Sequence, residues 1–301
     1  MLHSHASHPA PVSLRSPAKV NLMLSVCGRR ADGFHDLVSV VTALDFGDQL
    51  TVSSSSDGHQ LSCGNGEVPI SEDNLILRAA RVFDRAMGRP TAFNFELDKQ
   101  IPMGAGLGGG SSNAAIALKA MNQLSGEPFT EDSLRDMAAE IGSDCPFFVE
   151  GRPAVMRGRG ERLETLTEAV RQRLSGLPVL VFKPEFSVAT AWAYGQLASA
   201  APRYYESSEE AEARLQAFLG GGPLPELLFN SFEAAICQKF LGLRCLLDSL
   251  RKKSAHCLMS GSGSACFVIG TCQAERFEQE REIIYDAFGK DVFCIETFVS
   301  A

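Results

Sequence analysis

The chain has 301 residues, of which 45% are apolar and 21% charged, with a single Trp. This composition is ordinary for a globular protein that buries a sizeable core, and the length exceeds that of most single domains. Twenty-eight Lys and Arg against 36 Asp and Glu give a net charge of −8. Because no basic stripe interleaves with aromatic residues, we expect no nucleic-acid partner. The length of the chain predicts two fused lobes.

Nine cysteines occur without a C-x-x-C pair, so neither a zinc site nor a disulfide framework is indicated. Reduced thiols favour a cytoplasmic location. The segment Met1 to Pro9 lacks the apolar core of a signal peptide and the Arg-rich pattern of a transit peptide. No apolar run reaches membrane-spanning length, and we expect no membrane partner.

The first predicted elements are strands. Alternation from Lys19 to Cys27 predicts a half-buried strand, with Lys19 and Asn21 on one face about 7 Å apart. Two groups so placed would line one pocket, although a solvated strand face has the same pattern. A second strand is predicted from residues 37 to 44, and a polar loop from 53 to 66.

The middle of the chain alternates between helices and strands. Helical spacing covers residues 74–83, alternation predicts a strand at 93–97, and an Ala-rich helix covers 112–124. A further helix begins at the N-cap Thr130 and ends near Gly142. Asp144 is therefore predicted to lie in the turn after that helix.

The pattern restarts near residue 165, where we predict the boundary between an ATP-binding lobe (10–165) and a substrate-side lobe (166–301). Strands are predicted at 179–182, 265–269 and 292–295, with a helix through Ala191 and Tyr194. Because strands and helices alternate irregularly in both halves, the fold class is expected to be α+β.

A glycine-rich segment joins the strand at 93–97 to the Ala-rich helix. It reads Pro102-Met103-Gly104-Ala105-Gly106-Leu107-Gly108-Gly109-Gly110-Ser111-Ser112-Asn113, with five glycines in seven positions. Without Cβ atoms the backbone can bring N–H groups close to phosphate oxygens, and the helix N-terminus adds partial positive charge. Ser111 and Ser112 add hydroxyl donors or a magnesium ligand. A flexible linker is the alternative, but a linker would not run directly into a helix.

Two common nucleotide motifs are excluded by their context. Gly104, Gly106 and Gly109 satisfy G-x-G-x-x-G, but the acidic residue that a dinucleotide site needs at the end of a second strand is missing. A Walker A loop needs Gly-Lys followed by Ser or Thr, whereas the only Gly-Lys is followed by Asp291. Neither a dehydrogenase nor a P-loop enzyme is predicted.

Three segments resemble the motifs of the galactokinase, homoserine kinase, mevalonate kinase and phosphomevalonate kinase superfamily. Pro102 to Ser112 resembles its second motif, P-x-x-x-G-L-G-S/G-S/G-S-S, Ser16 to Leu22 its first and Met259 to Ala265 its third. The resemblance implies a two-lobed kinase fold with the active site in the cleft between the lobes, ATP as phosphate donor and Mg²⁺ as cofactor. In the third motif it implies substrate-binding positions at Gly261, Ser262 and Gly263.

The block Gly28-Arg29-Arg30-Ala31-Asp32-Gly33-Phe34-His35 resembles one branch of that superfamily. That branch phosphorylates the 2-hydroxyl of a cytidine-diphosphate-linked polyol in the non-mevalonate route to isoprenoid precursors. The segments 108–115 and 141–148 are similar to its remaining blocks. The resemblance therefore implies two small-molecule substrates, ATP and the cytidine-linked polyol.

The same resemblance implies roles for two ionisable residues. Asp144 would accept the proton of the substrate hydroxyl, and Lys19 would favour the ionised carboxylate. Each has a simpler interpretation, since an Asp can cap a turn and a Lys can be solvated on a strand. Both together match the family pattern.

Further positions are matched to the two substrates. Phe34 offers a stacking face and His35 a hydrogen-bonding edge for the cytosine, and Asn21 would orient the polyol. Asn74 and Lys99 resemble positions near the ATP base, although Lys99 could equally be a solvated lysine. The family commonly has Tyr at the position of Phe34. It also has Ser at that of Ala189 and Asp at that of Ser231.

Two rival functions remain open from the sequence. A related kinase acting on homoserine, mevalonate or a sugar would have no need of Phe34 and His35. A ligand sensor that lost turnover would not need to keep Lys19 and Asp144.

Overall fold

A computed structural model describes residues 9–274 and 276–300, so residues 1–8, for which no targeting signal is predicted, lie outside the described residues. The elements in chain order are β1 Val12–Arg29, β2 His35–Ser54, β3 Gln60–Cys63, α1 Leu75–Met87, β4 Phe93–Asp98, α2 Gly109–Leu124, α3 Glu131–Ile141, α4 Cys145–Glu150, β5 Ala154–Gly158, β6 Arg162–Thr165, α5 Glu168–Leu174, β7 Pro178–Lys183, α6 Thr190–Ser199, α7 Ser208–Leu219, α8 Leu224–Leu227, β8 Phe229–Asn230, α9 Ser231–Lys239, α10 Leu241–Lys252, β9 Cys257–Met259, β10 Cys266–Ile269, α11 Glu278–Phe288 and β11 Phe293–Phe298.

The chain divides into two compact units that interleave in sequence. The first unit contains the residues up to Pro17 together with Gly47–Ile101 and Gly109–Glu150. The second contains Ala18–Phe46, Pro102–Gly108 and the residues from Gly151 onward. The sequence-based lobe boundary at residue 165 is a single cut, and it stays a prediction.

Among its described residues, the first unit combines a small sheet with helices α1 to α4. Strand β4 pairs antiparallel with the end of β2, with Leu50 opposite Leu97, and β3 pairs parallel with β4. Helix α1 packs on α2, and α4 packs on both α2 and α3. Helix α1 begins after the N-cap Asn74 and ends at Gly88, whose φ of +66° suits glycine. Its buried face includes Phe83, which is fully inaccessible.

The second unit contains a four-stranded antiparallel sheet in the order β11-β7-β10-β9, with Cys266 opposite Phe182 and Met259. Strand β5 pairs with the first part of β2 and with β6, while β1 pairs parallel with β8. Helix α9 packs on α6 and α10. The α+β fold class predicted from the sequence is confirmed.

The structure also corrects parts of the sequence analysis. Strand β1 is not half-buried, because Met23 and Ser25 on its second face are as inaccessible as Val20 and Leu22. The hydroxyl of Ser25 is covered by the carboxylate of Glu206, which comes from much later in the chain. Tertiary packing of this kind leaves no trace in the alternation of apolar residues.

Two further differences concern secondary structure. The predicted polar loop at 53–66 contains strand β3, which pairs with β4. Helices α7 to α11 fill a region for which the sequence analysis predicts only strand-like runs. Within the described ranges, no helix has the length and apolar character needed to cross a membrane.

Candidate active site

The first half of the glycine loop packs against a second glycine turn within the second unit. Ala265 N donates to Ala105 O over 3.0 Å, and Ser260 Oγ donates to Gly106 O over 3.1 Å. Lys19 N, in β1, donates to Leu107 O over 2.9 Å. Backbone hydrogen bonds therefore tie together the segments that resemble the three kinase motifs.

Glycine is required where these two segments meet. Gly106 has a φ of +76°, and a Cβ added there would lie 2.3 Å from Ser260 O. Gly261 has a φ of +57°, and its added Cβ would lie 3.0 Å from Gly106 O. Positive φ angles and this close approach exclude larger residues. Ala105 and Leu107 between them are buried, so they anchor the loop.

The outer end of the loop is more accessible. Pro102 is half-buried and Met103 is exposed. Gly104 has a φ of +60°, and a Cβ there would lie 3.3 Å from Ser187 Oγ. Ser262 Oγ, in the second turn, is 3.0 Å from Thr190 Oγ1. The loop thus has buried residues, Ala105 and Leu107, next to an accessible backbone at Met103 and Gly104.

The amine of Lys19 lies at this junction. It donates to Asn21 Oδ1 over 2.6 Å, and a Cβ added to Gly261 would lie 3.3 Å from Lys19 Nζ. Asn21 Nδ2 in turn donates to Ser39 Oγ over 2.9 Å, so the amide is fixed in orientation. Both Lys19 and Asn21 are buried. The interpretation of Lys19 as a solvated strand residue is therefore wrong.

The second half of the loop begins helix α2 in the first unit. Ser16 Oγ donates to Ser112 Oγ over 2.8 Å, and Asn113 Nδ2 donates to Ser16 Oγ over the same distance. Ser112 is fully buried, whereas Ser111 is partly accessible and Gly110 is exposed. Of the two serines, Ser111 is the one that can reach a ligand.

Lys99 lies beside the glycine at which α2 begins. Its amine donates to Asp48 Oδ2 over 2.6 Å, and a Cβ added to Gly109 would lie 2.9 Å from Lys99 Nζ. The side chain is 7% exposed, so the alternative of a solvated lysine is wrong. Its predicted proximity to the ATP base stays a prediction.

Asp48 is a buried residue that the sequence analysis missed. Besides Lys99, its carboxylate accepts from Gln100 N over 2.7 Å, Ile101 N over 2.8 Å and Asn113 Nδ2 over 2.8 Å. The carboxylate thus joins the chain entering the glycine loop to the helix leaving it. An isolated Asp before an apolar strand segment was the signal available, but turns contain many such residues.

Asn74 and Asp144 occupy helix starts in the first unit. Asn74 Oδ1 caps α1 by accepting from Ile76 N over 2.9 Å, and its amide donates to Pro69 O. Asp144 lies, as predicted, in the turn between α3 and α4 and is partly accessible. Burial raises the pKa of the adjacent Cys145 to about 12, and the nearby Asp144 carboxylate adds to this. Cys145 is therefore a neutral thiol at physiological pH.

Phe34 and His35 differ sharply in exposure. Phe34 is 52% exposed, and the guanidinium of Arg159 lies 4.6 Å from its ring centroid. His35 is buried, stacks on Tyr194 at 4.7 Å and has Nε2 3.1 Å from Tyr205 Oη. Burial lowers the pKa of His35, and the charge of Arg29 lowers it further. Neither tyrosine could be matched to His35 from the sequence, because they lie about 160 residues or more along the chain.

The predicted site residues are distributed over both units. Those in the second unit are Lys19, Asn21, Phe34, His35, Pro102 to Gly108 and Gly261 to Gly263, while those in the first are Asn74, Lys99, Gly109 to Asn113 and Asp144. Each unit thus carries an ordered part of the glycine loop and one of the two predicted catalytic residues.

Comparison with known proteins places this geometry in a class. Residues 74–152 match the GHMP kinases N terminal domain. The crystal structure of homoserine kinase from Cytophaga hutchinsonii superposes with a TM-score of 0.76 at 19% identity, covering 100% of this chain and 97% of the other, and so supports the fold. The fold and the glycine loop are those of GHMP kinases.

Two relatives narrow the assignment. The 4-diphosphocytidyl-2-C-methyl-D-erythritol kinase of Synechococcus sp. (strain CC9605) is 39% identical over 85% of this chain and 86% of its own length. A crystal structure of 4-(cytidine 5'-diphospho)-2C-methyl-D-erythritol kinase is 34% identical, with a TM-score of 0.75 over 95% of this chain and 99% of the other. The chain belongs to the 4-diphosphocytidyl-2-C-methyl-D-erythritol kinase family.

Proposed function

We propose that this chain transfers the γ-phosphoryl group of ATP to the 2-hydroxyl of 4-diphosphocytidyl-2-C-methyl-D-erythritol, in the non-mevalonate pathway to isoprenoid precursors. The observation that carries the proposal is the position of Lys19 Nζ at the junction of two glycine segments. Backbone N–H groups and a buried ammonium are the donors that a transferring phosphoryl group needs.

The loop binds the phosphates of ATP. Gly104, Gly106 and Gly108 all have positive φ angles, which direct successive N–H groups to one side as an anion-binding concavity. The first turn of α2 adds the partial positive charge of a helix N-terminus. Lys19 supplies a full positive charge and stabilises the negative charge that develops on the phosphoryl oxygens.

Asp144 accepts the proton. As the 2-hydroxyl oxygen forms its bond to the γ-phosphorus, the bond between that phosphorus and the β,γ-bridging oxygen breaks, and ADP leaves with the electron pair. The hydroxyl proton passes to the carboxylate of Asp144. Helix α3 ends at Ile141 and α4 begins at Cys145, so two helix ends fix the turn that carries this carboxylate.

The cytidine part of the acceptor is held by Phe34 and His35. The exposed ring of Phe34 presents a stacking surface, which Arg159 orients by its cation–π contact. His35, held neutral by burial, has one donor and one acceptor nitrogen. Asn21, fixed by Ser39, orients the polyol hydroxyls.

Mg²⁺ is proposed as the cofactor. Among the described residues, no cluster of three His, Cys, Asp or Glu side chains is placed to hold a metal. The residues therefore fit an ion carried mainly by the ATP phosphates, with the accessible Ser111 hydroxyl as the protein ligand. The ion would neutralise charge on the phosphate oxygens. Chelation with excess EDTA should stop ADP release, and Ser111→Ala should raise the Mg²⁺ concentration needed for half-maximal rate.

The reaction is assigned to the cytoplasm. All nine cysteines lie within the described ranges and are unpaired, which suits a compartment that keeps thiols reduced. Cell fractionation followed by immunodetection would test this location.

The acceptor is tested by ADP release measured with the cytidine-linked polyol, homoserine and mevalonate in parallel. We expect ADP release only with the cytidine-linked polyol as acceptor. Release with homoserine or mevalonate in its place would identify a related kinase. Nucleotide binding without turnover on any acceptor would identify a ligand sensor.

A further inference from the structure

Glu233 connects helix α9 to the second glycine turn. Its Oε2 accepts from Met259 N over 3.1 Å, and Met259 directly precedes the turn of Ser260 to Gly263. The side chain is only 14% exposed. We infer that Glu233 is a positioning residue, which holds this turn against the glycine loop and Lys19 without touching a substrate.

Arg251 holds the other oxygen of that carboxylate. Its Nη2 donates to Glu233 Oε1 over 2.6 Å and to Cys257 O over 3.1 Å. The Arg251 side chain is 39% exposed, whereas that of Glu233 is 14% exposed, so solvent can reach the arginine while the carboxylate faces inward. Arg251 comes from α10 and Cys257 begins β9, so the pair also fixes the strand that leads into the turn.

Asn230 donates hydrogen bonds to backbone carbonyls of the same strand and turn. Its Nδ2 donates to Met259 O over 2.7 Å and to Gly261 O over 2.9 Å, while its Oδ1 caps α9 by accepting from Phe232 N. Glu233 and Asn230 therefore bind both the N–H and the C=O of Met259. Two side chains from one helical turn thus fix the position of Met259 along the strand.

The contacts of Glu233 and Asn230 with Met259 affect the phosphate site through the turn that follows Met259. Gly261 approaches both Gly106 O and Lys19 Nζ, and Ser260 Oγ donates to Gly106 O. A shift of the turn would therefore move the phosphate loop and the amine together. A misplacement of about 1 Å at reacting groups can cost about 100-fold in rate, so Glu233 should influence kcat from a distance.

This inference rests on the proposed kinase function, and it is tested with Glu233→Ala, Glu233→Gln and Leu250→Ala. Leu250 is fully buried on α10 and makes no side-chain hydrogen bond to the turn, so Leu250→Ala controls for lost stability. At a temperature well below unfolding, we expect Glu233→Ala to lower kcat by about tenfold or more. Glu233→Gln, whose amide oxygen can still accept from Met259 N, should recover most of the rate.

Hydrogen exchange supplies a measurement that does not depend on activity. Amide exchange in a peptide covering residues 259–265 should accelerate in Glu233→Ala and stay at the wild-type rate in Leu250→Ala. Inactive wild-type protein would refute the kinase proposal and leave this exchange test valid. Equal kcat loss in Glu233→Ala and Leu250→Ala, or unchanged exchange in Glu233→Ala, would overturn the positioning role. If Glu233→Ala fails to fold, the partly exposed Arg251→Gln must show the exchange increase in smaller measure, or the role is refuted.

Discussion

Lys99 Nζ lies 2.6 Å from Asp48 Oδ2, and the two side chains are 7% and 0% exposed. The pair joins residues 51 positions apart, at the point where the chain enters the glycine loop. Asp48 also accepts from two backbone N–H groups and from Asn113. A carboxylate with four donors has its desolvation offset by hydrogen bonds and by the lysine charge.

Removing this carboxylate should damage folding and the nucleotide site together. Asp48→Ala leaves the Lys99 ammonium buried without its carboxylate and removes the acceptor of three further donors. Breaking a buried ion pair of this kind lowers the free energy of unfolding by about 3–5 kcal/mol. We expect a large fall in melting temperature, measured by calorimetry, and a raised KM for ATP. Asp98→Ala, at an exposed position of β4, is the control. A melting temperature within about a degree of wild type would contradict the role of Asp48.

The close approach of Gly106 to the second turn predicts an unusually costly alanine substitution. Gly106→Ala would combine a positive φ with a contact of 2.3 Å to Ser260 O. Gly88→Ala is the matched control, because Gly88 has a φ of +66° and nothing within 4 Å of its added Cβ. The control should cost about 1 kcal/mol of unfolding free energy. Gly106→Ala should cost clearly more and abolish turnover; equal costs would show that the loop can move aside.

The sequence predicted the parts of the site that depend on local signals. The glycine density of the loop and the helix ends around Asp144 are properties of short segments, and the α+β class follows from their alternation. The pairing of Lys99 with Asp48 is a different kind of fact. It depends on which strands become neighbours, and no spacing rule within a segment contains that information.

The same distinction explains the residues missed around His35 and the second glycine turn. Tyr194 lies in a predicted helix, whereas Tyr205 and Glu233 lie in a connecting segment and a helix that were not predicted. All three act on a partner from another element. Burial of both faces of β1 was missed for the same reason. Apolar alternation reports one buried face, while cover of the second face comes from distant parts of the chain.

Phe34 should contribute binding energy toward the cytidine substrate. Stacking of a base on an aromatic ring is worth about 1–3 kcal/mol, so Phe34→Ala should raise the KM for that substrate roughly 5- to 150-fold. Phe34→Tyr, which restores the residue common in the family, should keep the KM near wild type. Phe298→Ala, at an exposed ring in β11, controls for general loss of surface hydrophobicity. A parallel rise in the KM for ATP would argue against a base-stacking role.

His35 predicts a dependence of stability on pH. Its pKa is lowered by burial and by Arg29, so on acidification the unfolded chain takes up the proton first. The stability that neutral His35 contributes is therefore fully present above about pH 6.5, the usual pKa, and is lost as the pH falls through the lowered pKa. Melting temperatures measured from pH 8 to pH 5 should fall less steeply in His35→Gln than in wild type. Identical slopes would mean that His35 keeps its usual pKa.

Asp144 should affect transfer and leave ATP binding nearly unchanged. The carboxylate is assigned to the proton of the acceptor, and an amide cannot accept that proton, so Asp144→Asn should lower kcat by about 10²–10⁴. The dissociation constant of a non-hydrolysable ATP analogue, measured by calorimetry, should stay within about threefold of wild type, since proton acceptance is not part of phosphate binding. Asp136→Asn, at an exposed position of α3, should leave both quantities unchanged. If Asp144→Asn weakens ATP binding as much as it slows transfer, the carboxylate supports the nucleotide site instead and the proton acceptor must be sought elsewhere.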